Sequence, residues 1–147
     1  MTDASPLARK TWMATLAKAP PARLVALVPH LPAHTVLRQP EIGAVMVRGR
    51  VGATGSAFNL GEMTVTRASV RLATGEVGHA WVQGRDKGHA LRAAAVDALM
   101  QTGQAAELMS RVVQPLEAEA RAARATRAAK AAGTRVDFFT MVRGEDK

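Results

Sequence analysis

The sequence predicts an α+β fold, in which an antiparallel sheet of three to four strands carries N-terminal helices, one packed helix and a long C-terminal helical arm. Three observations lead to it. Residues 41–83 hold three alternating stretches joined by glycine-bearing connections too short for a crossover helix, the pattern of a meander. Apolar residues recur at helical spacing on both sides of that region. The last third is rich in alanine and arginine, which favours helix but offers little to bury.

The first 35 residues read as helical. Leu7, Thr11, Ala14 and Leu16 to Ala17 recur at helical spacing with Trp12 and Met13 beside them, and Ser5 and Pro6 serve as cap and first-turn residue. Pro20 and Pro21 end that helix and start a second, whose stripe is Leu24, Val25, Leu27 and Val28. His30 and His34 have the separation of a helical metal pair, but Pro29 and Pro32 break the helix there and no nearby acid completes a ligand set. No metal site is expected.

Strands are expected over 41–51, 62–73 and 77–83. The segment Gly52 to Gly61 lacks a P-loop lysine and leads into a strand, so it reads as a hairpin connection. Thr74-Gly75-Glu76 makes the second turn. The strand faces are mixed, which implies helices on one side of the sheet and another chain on the other. Arg67, Arg71, His79 and Trp81 are the large, polar-tipped groups suited to that interface.

Gly84 joins the third strand to a helix over 85–101. Arg85, Asp86, Lys87 and His89 crowd this corner, where a helix's first N–H groups lack partners. Asp86 can cap those groups; Arg85, Lys87 and His89 are the candidates for binding an anion as charge-stabilising groups. Leu91, Ala94, Ala95, Ala98 and Leu99 form the side expected against the sheet, while Arg85, His89, Arg92, Val96 and Met100 line a second side that one core does not explain.

Residues 104–132 form the helical arm, interrupted at Pro115. Between Gln104 and Arg135 the six bases Arg111, Arg121, Arg124, Arg127, Lys130 and Arg135 stand against Glu107, Glu117 and Glu119. Residues 135–144 are an apolar tail, in which Val136, Phe138, Phe139, Met141 and Arg143 are expected to dock on a sheet edge or a partner.

Composition narrows function. The 147-residue chain has no cysteine, which excludes a disulfide, a thiolate nucleophile and a cysteine-held metal. No apolar run is long enough to span a bilayer and no signal pattern opens the chain, so a cytoplasmic location is expected. A net charge of +8 favours acidic partners. Nucleic acid is one, through the basic arm, but aromatics are only 3% of residues, a poor stacking platform. A hydrolase using Asp86 with His79 or His89 lacks a recognisable nucleophile and base, and no catalytic residue is assigned.

Three blocks together carry a resemblance. They are Gly52-x-Thr54-Gly55-x-x-Phe58-x-x-Gly61-Glu62 leading into Thr66-Arg67-Ala68, then Trp81-Val82-Gln83-Gly84-Arg85-Asp86-Lys87 with His89-Ala90, and Arg135-Val136-Asp137-Phe138-Phe139-Thr140-Met141-Val142-Arg143-Gly144. Their combination closely resembles the PhnG family, the G subunits of the bacterial carbon-phosphorus lyase system that degrades phosphonates. The first forty residues match only in length and helical character.

The resemblance implies an accessory subunit of a core complex with H, I and J subunits. With the I, H and L subunits, such a protein supports transfer of an alkylphosphonate to the ribose C1 of ATP, releasing adenine and giving a ribose 1-phosphonate 5-triphosphate. The nucleosidase-like step belongs to the I subunit, and radical carbon-phosphorus cleavage with its iron-sulfur cluster to the J subunit. ATP is then a substrate of the complex, and no cofactor is expected on this chain.

Overall fold

A computed structural model describes residues 5–51 and 54–135. Helix α1 runs over Pro6–Lys18 and α2 over Pro21–Leu27. Each opens on a proline, which needs no N–H partner in a first turn. Ser5 holds the N-cap position but makes no side-chain cap bond, so Pro6 alone marks the start.

Strands β1 (His34–Gly49), β2 (Phe58–Leu72) and β3 (Val77–Gln83) form an antiparallel meander in the order β1-β2-β3. The fold class is the expected α+β, with three strands among the described residues and no fourth. Three boundaries differ from the sequence reading. The helical part ends at Leu27, and β1 begins at His34 rather than at residue 41. Pro40 hid this start, because a proline inside a strand argues against pairing. It is accommodated here because β1 lies at the sheet edge and its register with β2 slips between Arg38 and Glu41. Strand β2 likewise begins at Phe58, so the connection before it is shorter than the glycine content implied.

Helix α3 (Lys87–Leu99) crosses the inner face of the sheet. Glycine at position 78 is a steric requirement, since a Cβ there would lie 1.9 Å from the Ala94 carbonyl oxygen and 2.6 Å from the Ala98 nitrogen. The alanines of α3 thus let helix and sheet backbones nearly touch. The opposite side of α3 is covered too, by Trp12 and Leu16 of α1, Leu24 of α2, and Val112, Val113 and Leu116 further on. His89, Val96 and Met100 are buried as a result, which accounts for the second apolar side of the helix.

After the short helix α4 (Ala105–Leu108) the chain forms a π-helical turn over Met109–Val113 and enters α5 (Gln114–Gly133). Pro115, near the start of α5, supplies the cause. It has no N–H for the Arg111 carbonyl and its ring crowds that oxygen, so the preceding turn widens. Leu116 is the only buried residue of α5; Glu117 accepts from Thr15, Glu119 pairs with Arg23, and the helix beyond them is exposed.

β3 pairs with β2 only from Val65 to Arg71, whereas β1 and β2 remain paired out to Gly49 and Phe58. Beyond Val65 the sheet is therefore a two-stranded ribbon, the hairpin arm.

Candidate partner-binding surface

Asp97 organises the outer edge of β3. Its side chain is fully buried on α3, and burial of a carboxylate demands partners. Arg9 of α1 supplies a two-pronged contact, Nε at 3.2 Å from Oδ1 and Nη2 at 2.7 Å from Oδ2. Trp12 Nε1 donates to Oδ1 at 2.9 Å, and the backbone N–H of His79 donates to Oδ2 at 2.9 Å. Arg9 Nη2 and Gln101 Nε2 both reach the Val77 carbonyl, at 3.2 and 2.9 Å. Helix α1, helix α3 and strand β3 are locked together at this point. The sequence reading missed this node; its signal is one acid among the buried alanines of α3.

The same contacts fix which way the β3 backbone points. Leu72 N–H donates to the Glu76 carbonyl and Gly84 N–H to that of Thr64, so even-numbered residues from 76 to 84 face β2. Val77, His79, Trp81 and Gln83 must then direct their amides outward. The Asp97 node occupies the Val77 carbonyl and the His79 N–H, while both backbone groups of Trp81 are left facing away from the sheet. Beside them lies a cleft of about 200 Å³ lined by Met13, Ala14 and Ala17 of α1 with Ala80, Trp81 and Ala93.

The open face of the sheet carries the residues singled out for an interface. Arg67 and Trp81 are register partners, and the guanidinium carbon of Arg67 stands 5.6 Å from the indole centroid. Arg67 also grips Glu41, with Nη2 2.8 Å from Oε2. That hydrogen bond, together with the Arg67 charge, holds the Glu41 carboxyl below its ordinary pKa. Ser69 Oγ and His79 Nδ1 are 2.8 Å apart, and Arg71 lies on the same face at the next alternate position. Trp81 stays 51% exposed. The structure thus gathers Arg67, Arg71, His79 and Trp81 on one face. Val136, Phe138, Phe139, Met141 and Arg143 lie outside the described residues.

The β3–α3 corner is divided. Gly84, with φ of 90°, makes the turn in a conformation that favours glycine. Asp86 caps α3, its Oδ1 accepting from the His89 N–H at 2.8 Å, so a carboxylate already occupies the helix N-terminus. Arg85 and Lys87 face solvent together, whereas the His89 ring is buried. His89 Nε2 donates to the Leu16 carbonyl at 2.9 Å, and its Nδ1 has no hydrogen-bond partner.

Among the described residues no cluster of three or more His, Asp or Glu side chains could hold a metal ion. No described helix is long and apolar enough to cross a membrane.

A sheet closed by helices on one face, with cation-π and ion-pair groups on the other and a projecting arm at one end, defines a small α+β protein of the kind that assembles through its surfaces. The chain matches the family model of the phosphonate metabolism protein PhnG over residues 7–144, and it belongs to that family. It is also similar to the PhnG subunit of alpha-D-ribose 1-methylphosphonate 5-triphosphate synthase from Rhizobium meliloti (strain 1021). That relative is 53% identical over 114 residues, covering 75% of this chain and 70% of the relative.

Proposed function

We propose that this chain is the accessory G subunit of a carbon-phosphorus lyase core complex in the cytoplasm. There it supports transfer of an alkylphosphonate onto the ribose C1 of ATP with release of adenine, alongside the H, I, J and L subunits. The carrying observation is the 53% identity to a protein named as a subunit of that synthase. The exposed Trp81 and Arg67 of the open sheet face support it, because such groups concentrate at protein interfaces. The chain contributes surfaces for assembly, binds no cofactor of its own, and leaves the transfer chemistry to its neighbours.

The test is co-purification of tagged chain from cells co-expressing the H, I and J subunits, followed by assay with the L subunit, ATP and methylphosphonate. A stoichiometric complex that turns over only when this chain is included is the expected result. A complex that assembles and reacts equally well without it would overturn the proposal. A version cut after Gly133 is expected to lose the complex, because the apolar tail is the anchor.

A nucleic-acid reading draws on the exposed Arg121, Arg124, Arg127 and Lys130 of α5. It requires affinity for DNA by the chain alone that falls steeply with salt. Absence of such binding at moderate salt is the outcome expected of a complex subunit.

A further inference from the structure

The hairpin arm carries apolar surface that the chain itself does not cover. Ile42, Met46, Val47, Val51, Phe58 and Leu60 are all exposed on it or at its root, with Met46 at 55% and Leu60 at 58%. An isolated two-stranded ribbon is marginal in water, and this one extends past both β3 and the helical layer. Register sorts its side chains. Ile42 pairs with the buried Thr66, and Ala44 and Met46 continue that inner face; Val45 and Val47, opposite Met63 and Gly61, lie on the outer one. The β1 side chains on both faces are therefore apolar, while Thr64 and the exposed Glu62 stand opposite Ala44 and Met46 on the inner one.

Cations stand at the two ends of the ribbon. Gly84 N–H bonds the Thr64 carbonyl at 3.0 Å, and Thr64 is the register partner of Ala44, so the chain turns away into Arg85 and Lys87 at the root of the arm. Arg50 lies toward the far end. None of Arg50, Arg85 and Lys87 enters an ion pair among the described residues. The nearby acids are Glu41, which is paired with Arg67, Asp86, which caps α3, and Glu62.

From this we infer that the arm, residues 42–51 with 58–63, is a docking ribbon for another protein subunit, whose matching surface is apolar and edged with carboxylates. The inference rests on the complex-subunit reading above and adds a surface to those it uses. A second copy of this chain fits poorly, since it brings the same cations face to face and a net charge of +8 to each side. Nucleic acid fits poorly too, since apart from Phe58 the exposed apolar groups are aliphatic and offer no stacking plane. Arg85 and Lys87 then meet protein carboxylates rather than substrate.

The experiment uses the full chain co-expressed with the H, I and J subunits. The first variant combines Met46→Gln, Val51→Gln and Phe58→Gln, and the second combines Arg50→Glu and Arg85→Glu. All five positions are exposed, so melting temperatures should stay near that of the parent. The apolar variant is expected to lose at least tenfold in recovered complex, and the charge variant to lose recovery most strongly at low salt. If the parent assembles and the apolar variant assembles equally, the arm is not the docking surface. If only the charge variant behaves as the parent, the acidic edge is wrong. If the parent chain binds neutral or anionic phospholipid vesicles through the arm and the variant does not, the protein occupant is overturned. Failure of the parent itself to assemble would instead overturn the complex-subunit reading.

Discussion

Asp97 Oδ2 accepts the backbone N–H of His79 at 2.9 Å, so a carboxylate on the central helix closes a hydrogen bond that a neighbouring strand would otherwise take. The same carboxylate binds Arg9 and Trp12. Removing it leaves the Trp12 and His79 N–H donors without their acceptor, while the partly exposed Arg9 keeps the Val77 carbonyl. Asp97→Ala should cost about 2–4 kcal/mol, mostly from the two unpaired donors. Trp12→Phe, which keeps most of the ring but loses the donor, should cost about 1 kcal/mol. Urea unfolding measures both, and equal losses for the two variants would show that the carboxylate is not the centre of the node.

Gly78→Ala should destabilise strongly, because the new methyl carbon would stand 1.9 Å from the Ala94 carbonyl oxygen. Forcing α3 off the sheet should cost about 1–3 kcal/mol or more. Gly43 in β1 has nothing within 4 Å of the same added atom, and Gly43→Ala should change stability by less than about 0.5 kcal/mol. Thermal melts of the pair decide it, and indistinguishable melting temperatures would contradict the close approach.

Glu41 should titrate below the usual carboxylate value of about 4.3. The hydrogen bond from Arg67 is the first cause and the Arg67 charge the second. With the folded pKa depressed, its stabilising contribution is present above the unfolded pKa and fades as pH falls through the folded one. A carbon-13 carboxyl titration followed by NMR reads the value. Arg67→Ala should return it toward normal, and an unchanged midpoint in that variant would remove Arg67 as the cause.

Trp81→Ser should leave the fold intact and impair assembly. The indole is half exposed, with the Arg67 guanidinium over its ring, so its loss should change stability by less than about 1 kcal/mol. Complex recovery with the H, I and J subunits should fall at least tenfold. Full recovery of complex would take the open sheet face out of the interface.

Much of this molecule is legible in its residues, and the exceptions have causes. Strand β3 was readable in full because a glycine turn precedes it and Gly84 follows it. The Asp86 cap was readable because an acid before an alanine run has few other uses. The first half of β1 was hidden, since Pro40 contradicts a strand unless the strand is known to lie at an edge. His89 shares the corner's sequence with Arg85 and Lys87, yet helical rotation turns it inward while they face out. The Asp97 node joins residues 85 and 88 positions apart, and no local pattern announces a pairing at that distance.

The capped edge of β3 also bears on solubility. A sheet with two bare margins is a template on which further copies can stack without limit. Here one margin is blunted by Pro40 and the slipped register of β1, and the other by the side chains seated on Val77 and His79. On the β3 margin only the short stretch around Trp81 keeps its outward amides. An added strand would find a foothold there too brief to propagate along β3, which leaves the outer side of β1 beyond Pro40 as the longer open margin of the sheet.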